Sequence, residues 1–277
     1  VIEAIIGANI SVKDATMATR RPLLLTLMRI SHGTMWAKFR DGEKMYNFED
    51  VKRRIAIENE VTVGDIASEP IELTIYSPTV YDTVMIDLPG FIAIPGVGQD
   101  EDLPDQIQDL NRSYMNDPRN ILTVVNSAVA DPMTSMALRE SMRSDPTSTR
   151  SLGIVTKVDL AGKNKDALAR LLQNQILPLG MGRVGIRCRT QQEQLDGVSF
   201  EEVIDREQEW IDESKLQGVG GIRLGVPKLR EVLSATLVER IVGELPAIIQ
   251  QLDKKIEEVR HNQGFLQQLA SQKDMTS

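Results

Sequence analysis

Residues 151–160 read SLGIVTKVDL. The run Leu152 to Val155 is apolar without alternation, as in a strand covered on both faces of a parallel sheet, and it breaks off at the polar set Thr156-Lys157-Val158-Asp159. Residues 83–90, TVMIDLPG, are built the same way: Val84-Met85-Ile86 leads into Asp87-Leu88-Pro89-Gly90. In open α/β sheets ligands bind outside the carboxyl ends of the strands, so chemistry is expected at these two strand ends.

Outward from these two runs, short apolar segments alternate with longer ones of helical period. PLLLTLMRI precedes FEDVKRRIAIENE, IELTIYS and TVMIDLPG precede LPDQIQDLNRSYM, and NILTVVN precedes MTSMALRESM. Beyond them LGIVTKVDL is followed by ALARLLQNQIL, and RVGIRCR by FEEVIDREQEWI. The alternation predicts an α/β fold, a mixed, mostly parallel sheet flanked by helices, with a C-terminal helical extension. After Pro227 a helical apolar spacing continues for some forty residues and is interrupted at Pro246, which predicts a pair of helices with a kink or boundary there. Ile248, Leu252, Ile256 and Val259 form a stripe with no local core, so this segment is expected to pack on something outside the chain.

The totals exclude several classes. The chain has 277 residues, 41% hydrophobic and 26% charged, which is ordinary for a soluble fold and enough for one large domain or a domain with an appendage. Its longest apolar runs fall far short of the roughly 20 residues of a membrane-spanning helix. A net charge of −8 argues against nucleic acid as a partner. A single cysteine, Cys188, excludes an internal disulfide and any multi-cysteine metal site. His32 and His261 have no partner at ligand spacing and read as surface residues.

Each motif has two readings. Asp87 can hold a magnesium ion through water while Gly90 lets a backbone N–H approach a terminal phosphate, or Asp-Leu-Pro-Gly is simply a turn. Asp159 can accept the paired N1–H and 2-amino donors that guanine has and adenine lacks, with the Lys157 stem along the base, or the segment is a strand end before a solvated helix start. Together the two motifs stand in the order of a guanine-nucleotide site.

Four stretches carry a specific resemblance: ATRRPLLLTL, SEPIELTIYSP with VMIDLPG, SDPTSTRSLGIVTKVDL, and LPLGMGRVGIRCRTQ. Over nearly its whole length the chain resembles the GTPase domain of the dynamin superfamily. The resemblance implies a dynamin-type P-loop GTPase domain over 1–226 and neck or bundle helices over 227–277 leading toward a stalk. It places the family's phosphate loop immediately before Val1, so the given chain is expected to be a fragment inactive by itself.

The resemblance also implies residue roles. Thr19 is the switch threonine that helps hold magnesium and aligns the attacking water, although threonine beside a strand is also plain β-propensity. Asp87 and Gly90 take the second-switch roles, and Thr156, Lys157 and Asp159 recognise the base. Cys188, Arg189 and Gln191 match the base-and-ribose loop, with Cys188 where the family commonly has asparagine. Asp131 reaches a partner's nucleotide site across a dimer, or as a lone loop carboxylate is solvated surface. In SVKDATMAT the family's glycines are missing, which predicts a stiffer switch.

GTP, Mg2+ and a monovalent cation (K+ or Na+) are the implied ligands. Implied partners are a second copy through a GTPase-domain dimer, a higher oligomer, and a membrane reached through parts outside this chain. SEPIELTIYSP and DLPGFI resemble the mitochondrial inner-membrane fusion dynamins most, with a cytoplasmic scission-type dynamin as alternative. A degenerate, nucleotide-independent scaffold is the competing class, and an ATPase of similar sheet order is disfavoured by Asp159.

Overall fold

The computed structural model describes residues 1–11, 19–60, 66–162 and 165–274. Its strands are β1 (Leu23–Arg29), β2 (Trp36–Phe39), β3 (Ile71–Ser77), β4 (Thr83–Asp87), β5 (Leu122–Ser127), β6 (Ser151–Thr156) and β7 (Arg183–Gly185). The helices are α1 (Ile2–Ile6), α2 (Phe48–Asn59), α3 (Leu103–Met115), α4 (Met136–Ser144), α5 (Lys165–Leu172), α6 (Gln191–Leu195), α7 (Phe200–Ser214) and α8 (Val226–Asp274). Every strand and helix expected between residues 22 and 215 is present, in the expected order. The short edge strand β2 and the five-residue helix α6 were not in the alternation, because segments this short carry no readable period.

The strands form two sheets rather than one. The first has the order β2-β3-β1-β4, with β1 parallel to β3 and antiparallel to β4; the second is parallel throughout, in the order β5-β6-β7. β6 is buried from Ser151 to Val155, as its uninterrupted apolar run requires of a central strand. Among the described strands β4 and β5 each have one unpaired edge, and each exposes a β-branched residue, Val84 at 57% and Val125 at 44%.

Side-chain caps fix where the helices begin and end. Asn47 and Ser135 accept from the first turns of α2 and α4, and Thr190 with Glu193 and Ser199 with Glu202 form reciprocal capping boxes on α6 and α7. Arg150, almost fully buried, donates to the carbonyls of Met115, Asp117, Asn120 and Ser144 and so closes the carboxyl ends of α3 and α4 together.

The chain divides into a compact unit of residues 1–232 and a second of residues 233–277. The expected helix pair is a single helix: α8 runs through Pro246. Proline there removes the N–H that would serve the Val242 carbonyl, but Val242 is 59% exposed, so water can take the donor's place. The apolar stripe is exposed as expected, from Val238 through Ile249 to Ile256 and Val259. No helix among the described residues is long and apolar enough to cross a membrane.

Candidate functional site

Strand register gathers the first group of residues. β1 runs antiparallel to β4 with Leu23 opposite Asp87, so the chain entering β1 and the carboxyl end of β4 share one sheet edge. Thr19 lies four residues before Leu23, hence within about 14 Å of it along the backbone. The segment after Thr19 is fastened to the end of α2: the buried Asn59 Oδ1 accepts from the amides of Arg20 (2.8 Å) and Arg21 (3.2 Å). Most of the switch sequence, residues 12–18, lies outside the described residues, so the expectation of a stiffer loop is not addressed.

Asp87 is half-buried. Burial pushes its carboxyl above the usual range. Gly90 is exposed, its φ is not positive, and a Cβ added there would meet nothing within 4 Å. The fold itself therefore makes no demand for glycine at this position.

The second group stands at the carboxyl end of the parallel sheet. Thr156 closes β6 and donates from Oγ1 to the Asn126 carbonyl at 3.2 Å, tying β6 to β5. Lys157 is exposed and left-handed, with φ 56° and ψ 37°, a conformation that side-chain-bearing residues seldom adopt and that concentrates at functional sites. Asp159 sits in the following 3-10 turn, Val158–Leu160, with its side chain 18% exposed.

A residue missed in the sequence organises this end. Arg187, just beyond β7, stands 3.5 Å from Asp159 Oδ2 and 2.6 Å from Glu193 Oε1, and its own amide donates to Glu207 Oε1. Burial alone would push the Glu193 carboxyl up. Arg187, the Thr190 amide and hydroxyl, and Arg206 outweigh it and hold the group at about 2. Glu207 shows the reverse balance: burial keeps its carboxyl raised although the amides of Val226 and Arg187 both donate to it. Polar residues on the inner faces of α6 and α7 were the available signal, since carboxylates at buried positions must be paired.

The remaining candidates are more scattered. Arg189 donates to the Val198 carbonyl and to Asn9 Oδ1, and lies over the Phe200 ring at 4.3 Å, so its guanidinium is engaged within the protein. Cys188 is half-buried and Gln191 opens α6 at the surface. Asp131 is exposed in the loop after β5, where it caps a 3-10 turn through the Met133 amide. His32 is exposed, and its Nδ1 pairs with the hydroxyl of Ser31. A cleft of about 390 Å3 between α7 and the opening of α8 includes Glu207 and Lys228 in its wall.

The opening of the chain is tied to later segments: Asn9 accepts from Arg189, and the Ala4 carbonyl accepts from Arg230 at 2.8 Å. Thr19, Asp87 and Gly90 are thus gathered at the end of one sheet, and Thr156, Lys157, Asp159 and Arg187 at the end of the other.

Comparison with known proteins places this arrangement. The profile of the Dynamin family matches residues 1–158, and that of the Dynamin central region matches residues 167–276. Dynamin-B of Dictyostelium discoideum is 30% identical over 93% of this chain and 32% of its own length. Dynamin-related protein 12A of Glycine max is 31% identical over 94% of this chain and 43% of its own, and the interferon-induced GTP-binding protein Mx2 of Oncorhynchus mykiss 32% identical over 94% and 42%. The chain therefore spans less than half the length of these relatives. Two family profiles that between them cover nearly all of the sequence, on a fold of the matching class, establish that the chain belongs to the dynamin family.

Proposed function

We propose that the protein of which this chain is a part binds GTP, hydrolyses it, and couples the reaction to remodelling of a membrane. The observation that carries this reading is the gathering of Thr19, Asp87 and Gly90 at the end of one sheet and of Thr156, Lys157 and Asp159 at the end of the other. Asp159 accepts guanine's paired donors, the exposed Lys157 lays its stem on the base, and Cys188, Arg189 and Gln191 border base and ribose. Gly90 offers its N–H to the terminal phosphate, which explains a glycine that the fold does not need. Thr19 aligns the water that attacks phosphorus as the bond to the leaving diphosphate breaks.

Among the described residues no three acidic, histidine or cysteine side chains form a metal cluster. Magnesium takes only one or two protein groups beside substrate phosphates, so Asp87, acting through water, and Thr19 are a donor set of the right chemistry. When bound, the ion neutralises phosphate charge, and a monovalent cation adds to that neutralisation. Residues 1–226 form the GTPase domain and residues 227–277 the start of the neck. Asp131, exposed after β5, meets the nucleotide site of a second copy.

The wording SEPIELTIYSP and DLPGFI supports fusion of the mitochondrial inner membrane as the particular role, with cytoplasmic scission as the alternative. Cell fractionation of the full-length protein separates the two. A nucleotide-independent scaffold is favoured by one specific observation: Asp159 already has Arg187 at 3.5 Å, and Arg189 is occupied by Asn9 and Val198.

Fluorescent-GTP binding by the full-length protein, with unlabelled GTP and ATP as competitors, decides between these classes. Displacement by GTP but not ATP, lost in Asp159→Ala, is the expected result. Failure of the full-length protein to bind the probe would establish the scaffold.

A further inference from the structure

On α3 the residues facing inward are Leu103, Ile107, Asn111 and Met115, one every four positions. Leu103 and Ile107 pack with Ile66, Phe91 and Ile92, so this stripe covers the loop that follows β4. The third member breaks the apolar pattern. Asn111 is 1% exposed, its Nδ2 donates to the Pro89 carbonyl at 2.8 Å, and its Oδ1 is buried with no donor among the described residues. A carbonyl oxygen can only accept, so Nδ2 must face Pro89, and turning the amide over cannot rescue Oδ1.

A leucine here would continue the stripe and remove a buried acceptor that has lost its water, so the fold gains little from asparagine. What asparagine provides is a hold on one peptide plane. The described chain has no cis peptide bond, so the carbonyl of Pro89 and the N–H of Gly90 point in opposite directions from the same rigid plane. With the carbonyl fixed toward α3, the Gly90 N–H is aimed away from it. That N–H makes no backbone hydrogen bond among the described residues, and Gly90 is exposed.

We propose that Asn111 is a positioning residue for GTP hydrolysis, a latch on the Pro89–Gly90 peptide that aims the Gly90 N–H at the terminal phosphate. The inference rests on the GTPase reading above and adds a residue outside the nucleotide motifs. Asn111 touches neither substrate nor metal; it acts through the orientation of one amide. Donors that are already aimed before the reaction lower a phosphoryl-transfer barrier more than donors that must turn, and substrate binding in the ground state depends on them much less.

Asn111→Leu in the full-length protein separates this role from a merely structural one. Two quantities are measured: the thermal midpoint and steady-state GTP hydrolysis. The expected result is a midpoint close to wild type and kcat lower by about tenfold with KM nearly unchanged. A folded variant with wild-type kcat overturns the proposal, as does a fall in kcat accompanied by a large fall in the midpoint. If Asn111→Leu does not fold, Asn111→Met, unbranched and of similar reach, is measured in its place. Absence of GTP binding by the wild-type protein defeats the GTPase reading and with it the catalytic role, a result distinct from unchanged kinetics in an active protein.

Discussion

Single residues in this chain hold backbone states that their type would not choose. Lys157 is left-handed at φ 56°, which costs a side-chain-bearing residue roughly 1–2 kcal/mol. Replacing it with glycine removes that cost, whereas replacing it with alanine removes the stem and keeps the strain. Chemical denaturation should therefore rank Lys157→Gly above Lys157→Ala by about 1 kcal/mol, the reverse of their order in a helix. The opposite ranking would mean that the left-handed turn is not held in solution. Gly153 is a different case, required by space rather than by φ. A Cβ there would lie 2.6 Å from Arg183 Cγ and 3.1 Å from Leu179 Cδ1. Arg183 cannot swing aside without losing Asn174 Oδ1 at 2.6 Å and the Leu177 carbonyl at 2.8 Å. Gly153→Ala should cost about 1–3 kcal/mol in unfolding free energy, and a cost below about 0.5 kcal/mol would show that the arginine relocates. Lys157 was visible in the sequence as part of a motif. The demand on Gly153 was not, because it comes from a side chain thirty positions away.

Between elements, charge decides what apolar packing leaves open. Glu193 on α6 joins Arg187 beyond β7 and Arg206 on α7, and these partners hold its carboxyl at about 2 against an ordinary 4.5. A depressed acid stabilises the folded state above its unfolded pKa, and that contribution is lost as pH falls toward the folded value. The relevant window therefore runs from pH 4.5 down to about 2, with on the order of 3 kcal/mol at stake. Glu193→Gln cannot be ionised, so its deficit relative to wild type should be full at neutral pH and shrink across that window. Urea unfolding of both proteins at several pH values measures the difference, and a constant deficit would show that the network is absent in solution. The elements themselves were legible because strands and helices differ in period. The network was not, since Arg187, Glu193, Arg206 and Glu207 meet only after β7 and two helices have been folded against each other.

At the scale of the whole molecule, what could be read from the sequence follows from what local pattern can encode. The alternation of strand and helix was readable because burial on both faces writes long apolar runs, and the two motifs because their polar residues end such runs. Division into two sheets was not readable, since strand order depends on pairings that no single segment specifies. Of the kink or boundary expected at Pro246, the boundary is absent for a physical reason: on an exposed helix water can take over the lost hydrogen bond, so proline need not end it. The same exposure sets the last expectation. Val238, Ile249 and Ile256 are 56%, 55% and 47% exposed, and all three belong to the unit of residues 233–277. Both tryptophans, Trp36 and Trp210, lie in the unit of residues 1–232, so their fluorescence reports unfolding of that unit alone. Changing the three apolar residues together to glutamate removes no buried group, and exposed substitutions away from special features usually stay within about 0.5 kcal/mol. The tryptophan-monitored transition of this chain should then be unchanged within that margin. A fall of more than about 1 kcal/mol would show that the stripe on α8 supports the first unit, and that its exposure here does not describe the protein in solution.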